Sequence, residues 1–111
     1  MFLDLNRAKE FALDQEQLRE LMVTFEQSLG QEMAIIDAAL AAQDALKVEH
    51  ALHALKGFMP LFTGESLAQA MTDLYQTSRQ EPLDLTRVAY TDLVPDVLTL
   101  LTEVRAWLVA L

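Results

Sequence analysis

Leu18, Met22, Phe25, Leu29, Met33, Ile36 and Leu40 recur at steps of three and four residues across more than six turns of chain. That spacing puts seven apolar side chains on one stripe of one helix and leaves a polar back. A strand would need alternation, and none appears anywhere in the sequence. Asp14 followed by Gln17 reads as a capping-box start, and the stripe ends near Ala42. At 1.5 Å per residue such a helix is roughly 40 Å long. It can bury its stripe only against other helices of comparable length.

The rest of the chain supplies them. Asp44 is a cap for a second long helix whose stripe is Val48, Leu52, Leu55, Met59 and Phe62. Gly64-Glu65-Ser66 marks a turn. Leu67, Ala70, Met71 and Leu74 form the stripe of a third, ending around Gln80, and Glu81-Pro82 opens a loop. The last helix carries Leu93, Val97, Leu100, Leu101, Val104, Trp107, Leu108 and Leu111. It begins at Thr91 or Asp92 with Pro95 in the tolerant first turn, or earlier, near Asp84, with a kink at Pro95. A short segment, Leu3 to Ala12, precedes them all; Asp4 or Asn6 caps it, and Leu5 and Phe11 pack inward. The expected fold is all-α: an antiparallel four-helix bundle with a short additional N-terminal helix. With 111 residues and no linker or repeat, the chain reads as one domain over 1–111.

Composition excludes several classes of function. There is no cysteine, hence no disulfide, thiolate metal site or cysteine nucleophile. This fits a cytoplasmic protein. Seventeen acidic residues against eight basic ones give a net charge of −9, which argues against nucleic acid and anionic membrane as partners. No Gly-rich phosphate loop is present. No apolar run approaches the ~20 residues that span a bilayer, and Asp4, Arg7, Lys9 and Glu10 break up any signal-peptide core.

One segment of the second long helix carries chemistry: His53-Ala54-Leu55-Lys56-Gly57. His53 and Gly57 stack one turn apart, and Lys56 flanks them. The stripe beginning at Val48 faces the core, so His53, Lys56, Gly57 and Pro60 fall on a neighbouring face with Glu49 and His50. An imidazole is a competent nucleophile near neutral pH. An ammonium offsets charge on phosphoryl oxygens. A glycine admits a second surface. Gly57 costs roughly 1 kcal/mol against alanine in mid-helix, which points to close approach by a partner. Phe58 and Leu61 do not both fit the core, and an apolar residue left outside there suits docking. His50 lacks the following Lys-Gly and reads as solvated. With two histidines and no Glu-x-x-His, no metal site is expected.

Over essentially its whole length the sequence resembles the histidine-containing phosphotransfer (HPt) family, through the HxLKG segment, the long helix before it, the turn at Gly64 and the register of Leu67 and Leu74. The resemblance implies a phosphocarrier without autonomous catalysis, free-standing or part of a hybrid histidine kinase. It would relay a phosphoryl group between aspartates of receiver domains in a multistep phosphorelay. His53 would be the phosphoacceptor, Lys56 the charge stabiliser and Gly57 the clearing for the receiver. Glu49, His50, Phe58, Pro60, Leu61 and Gly64 would belong to the docking surface. Arg79 sits where many members have an arginine, and Tyr75 where many have Glu or Gln. No cofactor is implied, because the receiver brings the metal, and the chain is expected to be a monomer. Phe58-Met59-Pro60 departs from the small residues usual after HxLKG, and Thr63-Gly64 from the usual Gly then Ala. Pro60 should bend or end its helix, since it cannot donate to the Lys56 carbonyl. The alternative is a helical adaptor that binds a signalling partner without being phosphorylated.

Overall fold

A computed structural model describes residues 1–110. The described chain is helical almost throughout: α1 (Asn6–Phe11), α2 (Gln15–Ala41), α3 (Ala45–Phe58), a 3₁₀ turn (Met59–Leu61), α4 (Glu65–Gln80) and α5 (Leu83–Ala110). The four long helices form an antiparallel bundle in which α2 packs on α3, α3 on α4, α4 on α5 and α5 back on α2. Its extents are 44 × 22 × 20 Å, the long dimension being that of α2 and α5.

The stripes meet in one core. All seven members of the α2 stripe are buried, as are Val48, Leu52, Leu55, Met59 and Phe62. Leu67, Met71 and Leu74 join from α4, and Val97, Leu100, Leu101 and Val104 from α5. Ala70 is only half-buried, as are Leu93, Trp107 and Leu108, while Leu111 lies outside the described residues.

Local signals start and stop the helices. The Asp14 carboxylate accepts from the Gln17 amide at 2.9 Å, while the Gln17 side chain accepts from the Leu13 amide, one residue before the cap. Asp44 caps α3 by accepting from the Lys47 amide at 3.2 Å. α2 ends in a Schellman arrangement: the Gln43 amide donates to the Leu40 carbonyl and the Asp44 amide to the Ala39 carbonyl. This places Gln43, not glycine, at a φ of 54°. α3 stops at Phe58 and gives way to the 3₁₀ turn containing Pro60, as the missing donor requires.

Three expectations need correction, and one alternative is decided. The N-terminal helix starts only at Asn6, because residues 2–4 run extended beside 62–64. There the Asp4 amide donates to the Phe62 carbonyl and the Gly64 amide to the Phe2 carbonyl. The Glu103 carboxylate fixes this segment by accepting from the Phe2 and Leu3 amides at 2.8 and 3.0 Å. Phe11 does not pack inward; it is 68% exposed, while Leu5 and Ala8 carry the packing. No turn occupies residues 64–66, since Gly64 is the N-cap of α4 and Glu65 already helical. α5 begins at Leu83, the earlier alternative, and runs through Pro95. Thr91 and Pro95 are both exposed, so the carbonyl that Pro95 leaves without a donor lies on the solvent side of α5, where water can reach it. Burial of Thr86 and Tyr90 holds the preceding turns in place.

Candidate phosphoacceptor face

His53 is exposed near the middle of α3, pointing away from the stripe that runs from Val48 to Met59. Its ring lies 5.3 Å from the Tyr75 ring on α4, centroid to centroid, with the planes at 57°. Tyr75 is 9% exposed, so its position is fixed by the α3–α4 seam. Two cations converge on the same ring: the Lys56 Nζ 5.1 Å from its centroid and the Arg79 Cζ at 5.9 Å. The Arg79 guanidinium also pairs with Glu49 across the seam at 3.7 Å. Lys56 pairs with no carboxylate among the described residues. Helical spacing on α3 and on α4 thus brings Glu49, His53, Lys56, Tyr75 and Arg79 to one place.

Gly57 follows His53 by one turn. A Cβ built on it meets no atom within 4 Å, so nothing in the bundle demands the missing side chain. It is the penultimate residue of α3 and not a mid-helix position, which lowers the helical penalty expected for it. His50 is exposed one turn before His53, beside Lys47 and the exposed Ile35 of α2.

Phe58 and Leu61 behave differently from expectation. Both are half-buried rather than one in and one out. Phe58 meets Phe25 edge-on at 5.7 Å, and Phe25 stacks on Phe62 at 4.1 Å. The 3₁₀ turn makes this possible by changing the rotation per residue after Phe58. With Phe11, Leu21 and Thr24 these side chains line a groove of about 560 Å³ between α2 and the end of α3. Pro60 and Gly64, both half-buried, lie instead on the α3–α4 side, around a depression shared with Ala68 and Thr72.

Two features escaped the sequence reading. Leu46, 61% exposed, lies two turns before His53 on the same side of α3, and its i−7 spacing is the signal that gives it away. The ring of Tyr75 as a meeting point for three side chains has no signal within α3 alone; it depends on the register of α4 against α3. Among the described residues no group of three His, Asp or Glu side chains converges as a metal ion would require, and no helix is long and apolar enough to cross a membrane.

No protein-family model, curated protein or solved structure matches the chain.

Proposed function

We propose that this chain is a phosphocarrier in which His53 takes a phosphoryl group from a receiver-domain aspartyl-phosphate and passes it to another. The observation that carries the reading is the union of an exposed imidazole, a lysine beside it that pairs with no carboxylate among the described residues, and open space above Gly57. In-line transfer needs the aspartate oxygen and the imidazole nitrogen on opposite sides of one phosphorus. An imidazole lone pair forms the N–P bond as the P–O bond to the aspartate breaks. The bonding electrons leave on the carboxylate oxygen, and the other ring nitrogen keeps its proton. Reversal of the same step unloads the carrier. The receiver supplies the metal ion and most of the charge stabilisation of a loose phosphoryl transition state. This chain supplies an imidazole on a rigid helix, the Lys56 charge, and a surface on which the receiver rests. Glu49, His50, Gly57, Phe58, Pro60, Leu61 and Gly64 are its proposed members.

Incubation with phosphorylated receivers tests the reading. Label should appear that is stable to base and labile to acid. His53→Gln should abolish it, and His50→Gln should leave most of it. Binding of a receiver without any label would favour the adaptor, which the apolar groove beside Phe58 and Leu61 would equally serve.

A further inference from the structure

We infer that Tyr75 is a positioning residue: its ring is an aromatic platform that seats the His53 imidazole and holds Lys56 beside it without neutralising the lysine's charge. The inference rests on the phosphoacceptor reading of His53 and adds to it how that histidine is made more receptive than its neighbour.

Three groups meet one ring. The imidazole packs at 5.3 Å, the Lys56 ammonium at 5.1 Å and the Arg79 guanidinium at 5.9 Å. The two cations are within the range at which a ring face attracts them. A carboxylate in the place of the ring would hold both cations more strongly, and would cancel the charge a phosphoryl group needs to find. The ring quadrupole attracts a cation yet carries no net charge. The difference matters at this seam because Glu49 is already there, paired with one of the two cations on the ring. Arg79 shows the contrast: it shares the same ring, but Glu49 sits 3.7 Å from it and spends part of its charge. Lys56 is therefore the cation left to meet incoming phosphoryl oxygens. The burial of Tyr75 between α3 and α4 makes the platform rigid, so the imidazole loses fewer rotamers when it reacts.

His50 provides an internal reference. It is exposed on the same helix one turn earlier, and among the described residues no aromatic ring packs on it. Phosphoramidate, a small donor, phosphorylates histidine without a receiver. The imidazole lone pair forms an N–P bond, the donor's P–N bond breaks, and ammonia leaves with the electron pair. The platform predicts that the purified chain is labelled faster at His53 than at His50, read by peptide mass spectrometry. Tyr75→Leu should lower the His53:His50 ratio about two- to five-fold, the scale of an exposed cation–π contact. Tyr75→Phe, which keeps the ring, should restore it. A folded Tyr75→Leu protein with an unchanged ratio overturns the inference, and so does a Tyr75→Phe protein that loses as much as Tyr75→Leu. Should Tyr75→Leu fail to fold, proton NMR of the unmutated chain decides. The Lys56 ε-protons should be shifted upfield by the ring, and their absence from that field contradicts the platform. Failure of the phosphocarrier reading is distinguishable: labelling would still favour His53 with phosphoramidate, while no receiver would label it.

Discussion

Gly57 and Gln43 each occupy a place where the other would be the cheaper residue. Gly57 lies in a helix with normal backbone and open space, where alanine would cost nothing sterically. Gln43 holds a left-handed conformation that a side chain disfavours by about 1–2 kcal/mol. Gln43→Gly should therefore stabilise the chain by up to about 1 kcal/mol in denaturant unfolding, after the glycine's own entropy is subtracted. Gly57→Ala should stabilise it by at most about 1 kcal/mol, less than in mid-helix because α3 closes one residue later. If Gly57 is retained for docking, its variants should be slower in transfer from a receiver, Gln more than Ala, with melting temperature held. Phosphoramidate labelling should be much less affected, since a small donor needs less room. Equal losses with both donors would place the role of Gly57 in the histidine's own geometry instead.

Two prolines show how far an element can be inferred from its residues. Pro60 ends α3 because the 3₁₀ turn that contains it is held by other contacts: Met59 and Phe62 on either side are buried, and the Phe62 carbonyl accepts from the Asp4 amide. Pro95 ends nothing, because its lost hydrogen bond faces water while Val97, three residues before Leu100 on the same stripe, keeps α5 on the core. Local rules read the first correctly and left the second open, since burial on either side of Pro95 is a tertiary matter. Pro95→Ala should thus stabilise the chain by about 1–3 kcal/mol, and Pro60→Ala by clearly less. The upper half of α5 holds another test. The Tyr90 hydroxyl is buried with the Asp37 carboxylate nearby, but the two do not meet at hydrogen-bond distance and angle. Burial, and then the negative charge of the nearby Asp37, push the Tyr90 phenol above its ordinary range. The folded chain thus holds this proton more tightly than the unfolded one, whose phenol titrates near ~10. The resulting stability is whole below about pH 10 and declines as pH rises beyond it. Tyr90→Phe should unfold less steeply in alkali, and at neutral pH should match the parent or gain about 1 kcal/mol.

At the scale of the molecule, the bundle was legible because each stripe in the sequence has a matching stripe to bury it. Leu18 to Leu40, Val48 to Phe62 and Leu67 to Leu74 are periodic enough to fix the order of α2, α3 and α4 and the face each one buries. Phe11 was misjudged because α1 is too short for period to say which side faces in. The position of His53 outside the core followed from the same periodicity. Its company did not: Tyr75 and Arg79 reach His53 and Lys56 only through the register of α4 on α3, which no single segment encodes.

Whether this chain carries phosphate or only binds a partner is decided at the unloading step. The direct measurement starts from the chain labelled at His53 and adds unphosphorylated receivers with magnesium. Label should leave His53 and appear on a receiver as a base-labile acyl phosphate, with Lys56→Met slower and His53→Gln never loaded. Label that stays on His53 in the presence of receivers that demonstrably bind the chain would contradict it.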